Sequence, residues 1–362
     1  MVESIFSFGE KEFRLFHDAL SGNQVNESDV LGPGGATRTL LNLIPDQHFN
    51  SVWDLGCGSG AIAISLSSRA NRIIATDISA RAIDFAKQSA DANKIKNIEF
   101  RQGSLFEPVI NDKFDLVVSN PPFVIGNITN LEHRESPFDA DGLTAHLLKE
   151  IPNHLTENGI AIFLTAWLET KNESWEERIS EMLPDGINVW IGLRELQTRD
   201  DYVKTWLEDA KLDSSLNSVW KKKLDSWDTE HIAFGFVILQ KNMSGQLWQD
   251  INDVRDARRL PTGDEVTNLI AAATAANSLT ALEIMGSKFS ATSTQAWRGD
   301  IALDGVLSGL RENLGAGMGF DEAVDDLAQA LNLDSEDLRV YGLAGVKTLV
   351  SMGLLALNTP RI

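Results

Sequence analysis

The chain has 362 residues, 43% hydrophobic and 23% charged, the composition of a soluble globular protein with room for two domains. A single cysteine, Cys57, excludes a disulfide framework and a cysteine-based zinc cluster, and no metal ligand set is expected. The 32 Lys and Arg against 52 Asp and Glu leave a net charge of −20, which argues against broad, non-specific polyanion binding.

Met1-Val2-Glu3-Ser4 lacks the basic and apolar regions of a secretory signal, and the longest apolar runs, such as Ile160 to Leu168, are too short to span a bilayer. A cytoplasmic location away from any membrane is expected. Residues 1–34 read as a helical lead-in, 35–243 as an α/β domain and 245–362 as a smaller, mainly helical domain.

Short β-rich runs alternate with helical patterns from Ser51 onwards, the mark of a parallel sheet with crossover helices. The expected strands are Ser51 to Leu55, Arg72 to Thr76, Asn97 to Gln102, Phe114 to Ser119 and Gly159 to Ala166. Between them lie helices at Ala61 to Ser68, Ala80 to Asn93 (capped by Ser79) and Leu143 to Leu155. Helices at Ser174 to Met182 and Asp200 to Ala210 flank a strand at Ile187 to Leu193. A polar connector then leads into a last strand at His231 to Leu239, and this late pair suggests an antiparallel edge.

Alanine and acidic helices such as Phe320 to Leu331 dominate after residue 243. The ending reads as a Ser335-Glu336-Asp337 start signal, two helical stretches broken near Gly342, and a short strand after Gly353. That order resembles a winged-helix module; an all-helical bundle is the alternative.

The turn "DLGCGSG" places Gly56, Gly58 and Gly60 between a strand and a helix, where backbone can approach an anionic ligand group. Gly56-x-Gly58-x-x-Ala61 with Asp77 downstream also fits a relaxed dinucleotide fingerprint. Asp54 decides between them, because a carboxylate there repels a pyrophosphate. It suits a cofactor that has an ammonium and a sulfonium and no phosphate, and S-adenosylmethionine is such a cofactor. Asp77 can accept both ribose hydroxyls, or it can serve only as a helix N-terminal acid. Cys57 reads as a small filler, since nothing near it in sequence would activate a thiol.

The strand Leu116-Val117-Val118 stops at Ser119-Asn120-Pro121-Pro122-Phe123, and prolines end strand pairing. Methyl transfer needs an acceptor lone pair aimed at the methyl carbon, so orientation is the main thing the protein can supply. The Asn120 side-chain oxygen and the Pro121 carbonyl can take the N–H groups of a planar nitrogen and favour its pyramidal form. Pro121 and Pro122 stiffen the turn, and Phe123 can stack on a flat acceptor.

"DLGCGSG" (Asp54 to Gly60), "ATDIS" (Ala75 to Ser79) and "NPPF" (Asn120 to Phe123) together resemble the class I S-adenosylmethionine-dependent methyltransferases, over residues 35 to 240. Within that class the likeness is to the methyltransferase small domain group that modifies planar nitrogens. The resemblance implies a Rossmann-like seven-stranded sheet in order 3-2-1-4-5-7-6 with helices on both faces. It implies a cofactor site at Asp54, Gly56, Gly58, Gly60, Asp77, Ile78, Ser104, Leu105 and Asn120. The acceptor site it implies is Asn120, Pro121, Pro122 and Phe123. Many relatives carry an acid where "RQGSLFEP" has Ser104, so looser anchoring of the adenine is expected.

Three acceptor nitrogens suit such a turn: the exocyclic amine of adenine or of guanine, and a glutamine side-chain amide. Phe at the fourth motif position resembles ribosomal-RNA guanine enzymes. Asp141-Gly142-Leu143 and its surroundings resemble the release-factor glutamine enzymes, and the net charge also favours a protein. The winged-helix reading tilts the expectation to a base amine of RNA. His133, Arg134 and Glu135 are either acceptor contacts or a solvated loop, and Lys221-Lys222-Lys223 with Trp220 and Trp227 is either a small RNA patch or a solvated helix face. A non-catalytic cofactor-binding scaffold is the rival class, disfavoured because both motifs are intact.

Overall fold

A computed structural model describes residues 1–19, 29–126, 138–209, 213–241, 248–257, 259–292 and 303–358. The chain forms two compact units: Met1–Met243 with Ile251–Arg255, and Ser244–Asp250 with Asp256–Ile362.

The first unit opens with a hairpin, β1 (Val2–Phe8) and β2 (Lys11–His17), where a helical lead-in was expected. Phe6, Phe13 and Leu15 are buried while their neighbours are mostly polar, a period of two that favours strands. After the hairpin, the strands of a second, larger sheet alternate with helices: α1 (Gly35–Leu43), β3 (Phe49–Leu55), α2 (Ala61–Leu66), β4 (Ala70–Asp77), α3 (Ala80–Ala92), β5 (Ile98–Gln102) and β6 (Phe114–Ser119). Next come α4 (Gly142–Glu150), β7 (Leu155–Thr170), α5 (Trp175–Glu181), β8 (Ile187–Thr198), α6 (Arg199–Asp209), α7 (Leu216–Asp225), β9 (Thr229–Lys241) and β10 (Gln249–Asp253). Backbone amides of β2 are held by α3: Arg14 N–H donates to Asn93 Oδ1 at 3.0 Å, and Phe16 N–H to Ser89 Oγ at 2.9 Å.

The sheet runs β5-β4-β3-β6-β7-β9-β8-β10. Counted from β3 this is the expected 3-2-1-4-5-7-6, with β9 antiparallel to both of its neighbours and an eighth strand, β10, beyond the seven expected. The polar sequence of β10 hides it, because only Ile251 packs on the core. Such a charged, short strand is typical of a sheet edge. The expected polar connector before β9 contains a helix, α7.

Helices cover both faces because the strands are apolar on both. Trp53, Val117, Ala161 and Phe163 bury one face against Leu147 of α4 and Ile179 of α5. Val52, Ile73, Leu116 and Ile162 alternate with them and are also fully buried. Each such side chain contributes about 1.5–3 kcal/mol by leaving water.

The second unit holds α8 (Gly263–Ser278), α9 (Ala281–Gly286), β11 (Phe289–Ala291), α10 (Gly305–Gly315), α11 (Phe320–Leu331), α12 (Ser335–Ser351) and β12 (Leu355–Leu357). β11 and β12 pair antiparallel, so among the described residues there is a two-stranded ribbon beside the helices. The expected break at Gly342 does not occur. A Cβ there would lie 3.3 Å from the Phe320 ring, so this glycine allows α12 to pack closely on α11. No helix among the described residues is long and apolar enough to cross a membrane.

Candidate active site

β3 and β4 end side by side, and the glycine turn leaves β3 along the end of β4. Gly56 and Cys57 both donate their N–H to Thr76 O, at 2.9 and 2.8 Å. Gly56, Gly58 and Gly60 have φ of 75°, 52° and 83°, a conformation that L side chains rarely adopt. A Cβ on Gly60 would also stand 3.1 Å from the Ala86 Cβ of α3, whereas nothing lies within 4 Å of one on Gly56 or Gly58. The turn therefore presents open backbone where a ligand can approach.

Two carboxylates brace the turn and the start of the helix that follows it. Asp54 Oδ2 accepts from Ala63 N–H at 3.0 Å, and Asp77 Oδ2 from Gly58 N–H at 2.9 Å. Asp77 Oδ1 accepts from Ser79 N–H at 2.9 Å, so the carboxylate is fixed at the end of β4 with both oxygens oriented by backbone amides. Asp54 is 1% exposed and its Oδ1 is buried without a partner. Burial, together with the charge of Asp77, pushes its carboxyl up to about 7. Cys57 is buried, and burial with the two nearby carboxylates raises its thiol further, which fits a filler and not a nucleophile.

Ile78, beside Asp77, is an apolar side chain left 58% exposed. Gly103 N–H donates to Asp77 O at 3.0 Å and so carries the end of β5 to the same place. Ser104 follows, with its backbone bonded to Glu107, and Leu105 takes a φ of 45° and packs on the core. The expected cofactor residues of β3, β4 and β5 thus stand along one end of the sheet.

β6 brings in the acceptor turn. Ser119 is in register with Leu55, and Ser119 Oγ donates to Leu55 O at 2.8 Å. The next residue, Asn120, has its side-chain carbonyl oxygen buried and without a partner. Pro121 is buried, while Pro122 and Phe123 are half-buried. The Phe123 ring stands edge-on to Phe234 of β9, with centroids 6.1 Å apart.

The other sequence candidates fare differently. His133, Arg134 and Glu135 lie outside the described residues. Lys221 pairs with Asp200 at 3.0 Å and Lys223 with Asp139 at 3.1 Å, so acids answer two of the three lysines. Trp220 is 1% exposed and belongs to the core, which corrects its reading as a surface aromatic for RNA. Asp141 is structural: Arg178 donates to both its oxygens, at 2.5 and 2.9 Å, and Leu168 N–H to Oδ2 at 3.0 Å. Tyr202 and Phe234, which stand behind the acceptor turn, carry no local sequence signal.

An open glycine turn over two strand-end acids, beside an Asn-Pro-Pro-Phe turn on this strand order, defines a class I S-adenosylmethionine-dependent methyltransferase fold. Residues 32–167 match the model of the methyltransferase small domain family. Over 116 residues it is 45% identical to a release factor glutamine methyltransferase of Aliivibrio fischeri, covering 30% of this chain and 41% of that protein. A release factor glutamine methyltransferase of Xylella fastidiosa is 33% identical over 39% of this chain and 57% of its own length. A ribosomal protein L11 methyltransferase of Lactobacillus johnsonii is 32% identical over 42% of this chain and 45% of its own. The chain thus spans between two-fifths and three-fifths of the length of these relatives.

The residues present fit S-adenosylmethionine. The buried, unpartnered Asp54 Oδ1 suits an ammonium, the open glycine backbone suits a carboxylate, and Asp77 suits a ribose.

Proposed function

We propose that the protein is an S-adenosylmethionine-dependent N-methyltransferase acting on a planar nitrogen of a macromolecule. One observation carries the reading: two buried oxygens without partners, Asp54 Oδ1 and Asn120 Oδ1, stand at the ends of adjacent parallel strands. A buried acceptor left empty costs about 1–3 kcal/mol, so both places call for donors from bound molecules. Asp54, Gly56, Gly58, Gly60, Asp77, Ile78, Ser104 and Leu105 would hold the cofactor, which supplies an electrophilic methyl group on its sulfonium.

The chain's own work is orientation. Asn120 Oδ1 takes one N–H of the acceptor and the Pro121 carbonyl a second. Holding both out of the plane frees the nitrogen lone pair, an interaction strongest as the nitrogen pyramidalises. Phe123, backed by Phe234, offers a face to the flat acceptor.

An exocyclic base amine of RNA is the first reading of the acceptor, and the ring at Phe123 supports it. A side-chain amide of a protein is the second. Specific observations favour it: the ion pairs at Lys221 and Lys223, and fourteen Asp or Glu against eight Lys or Arg between residues 256 and 362. The names of the curated relatives, which concern a release factor and a ribosomal protein, point the same way. Tritiated methyl transfer into separated RNA and protein fractions, with identification of the labelled product, decides between them. Label in neither fraction refutes the enzyme reading and leaves a cofactor-binding scaffold.

A further inference from the structure

Val124, Ile125 and Gly126 follow the acceptor turn directly, and all three are buried. Ile125 is held at both ends of its backbone by one side chain. The Tyr202 hydroxyl accepts from Ile125 N–H at 2.6 Å and donates to Ile125 O at 3.0 Å. Trp220 Nε1–H donates to the same carbonyl at 3.0 Å. These partners lie 77 and 95 residues further along the chain, on the α6–α7 insertion between β8 and β9.

Gly126 makes room for this arrangement. Its φ is 144°, and a Cβ there would stand 2.1 Å from Trp220 Nε1. The rings carry the contact back to the turn, since Phe234 stacks on Tyr202 at 5.8 Å and meets the edge of Phe123. Pro121 and Pro122 fix their own φ angles but offer no N–H by which the turn could be tied down. The tie is supplied just after them.

We infer that Tyr202 and Trp220 are positioning residues for methyl transfer, holding Asn120 and Phe123 in working geometry from the α6–α7 insertion. This rests on reading Asn120 to Phe123 as the acceptor site. Reaction rates are sensitive to such support, because a displacement of about 1 Å can cost on the order of 100-fold.

The test uses the full chain. Tyr202→Phe keeps the ring and removes the hydroxyl, and Trp220→Phe keeps an aromatic ring and removes the N–H. Three quantities are read: amide hydrogen exchange over residues 124–126, affinity for S-adenosylhomocysteine, and the rate of tritiated methyl transfer into the fraction that the wild type labels. The rate is expressed per folded molecule. Exchange should accelerate, and affinity should stay within about twofold, a difference of under half a kcal/mol. The rate should fall about 10- to 100-fold at an unchanged half-saturating S-adenosylmethionine concentration. A wild-type rate despite faster exchange would make the bonds merely structural and overturn the inference. Unchanged exchange would overturn it too. If Tyr202→Phe does not fold, Trp220→Phe decides by the same three readouts. A wild type that labels neither RNA nor protein refutes the acceptor reading itself, and the inference with it.

Discussion

Asp54 and Asp77, on two neighbouring strands, brace the two ends of one element: Asp77 holds the glycine turn through Gly58 N–H at 2.9 Å, and Asp54 the first turn of α2 behind it through Ala63 N–H at 3.0 Å. The two carboxylates differ in their surroundings. Asp54 is sealed at 1% exposure, with its carboxyl pushed up to about 7, while Asp77 is half-buried and tied by amides on both oxygens.

The raised Asp54 carboxyl has a definite pH signature. Its folded value of about 7 lies above the ordinary 3.8, so the folded state keeps a proton that the unfolded chain releases. Stability from this group therefore falls as pH rises from about 4 to about 7, and is flat above. A ligand ammonium beside Oδ1 favours the ionised form. Affinity for S-adenosylhomocysteine should accordingly rise between about pH 6 and pH 8, and the rise should vanish in Asp54→Asn. Calorimetry across that range checks it; a pH-independent affinity in the wild type would place the ammonium elsewhere.

Asp77→Ala should weaken cofactor binding by about 1–3 kcal/mol, the range for charge-assisted hydrogen bonds. Unchanged affinity in a titration with S-adenosylmethionine would leave Asp77 as a brace for Gly58 and Ser79 alone.

Asn120→Ala should leave the fold and cofactor affinity nearly intact and lower kcat on the order of 100-fold. The lost contact matters most in the transition state, so the effect belongs in kcat and not in KM. Asn120→Asp, which keeps an acceptor oxygen, should retain partial activity above the alanine variant. A wild-type turnover from Asn120→Ala would mean that the prolines end β6 for structural reasons only.

Asp141→Ala should cost about 1–3 kcal/mol in denaturant unfolding, because it leaves the buried Leu168 amide without its acceptor and the partly buried Arg178 with Glu173 as its remaining partner. A guanidinium stays protonated even without that partner, so the Arg178 cation cannot escape by deprotonation when Asp141 is removed. Asp141→Asn keeps an acceptor for Leu168 N–H and should cost less. A loss under about 1 kcal/mol in the alanine variant would show the pair to behave as an exposed one.

A chain stopped after Arg255 should unfold cooperatively and bind S-adenosylhomocysteine as the full chain does, since β10 and Val254, bonded to Leu193 O at 2.9 Å, are then retained. A chain stopped after Met243 leaves β8 as the open edge and uncovers Ile251's place on the core, and should be about 1–2 kcal/mol less stable. Equal unfolding midpoints for the two would show that β10 contributes nothing. Loss of binding after Arg255 would mean that the cofactor site needs the second unit.

The strand order came from the family that the two motifs resemble; the sequence by itself made seven strands of the sheet and those motifs at its strand ends legible. Those signals are local: apolar runs of strand length, glycines at a strand-to-helix turn, and prolines where pairing must stop. Asp54 and Asn120 were legible as candidates for the same reason. That each keeps a buried, unpartnered oxygen was decided only by the tertiary structure, because burial depends on what the rest of the chain lays over a residue. The same holds for β10, whose polar residues become a strand only because β8 offers an edge. It holds most of all for Ile125, whose two backbone groups are satisfied by Tyr202 and Trp220 from far along the chain. Periodicity and motif spacing reach a few turns of helix or one strand, whereas these hydrogen bonds exist only once β9 has folded back between β7 and β8 and brought α6 and α7 beside the acceptor turn.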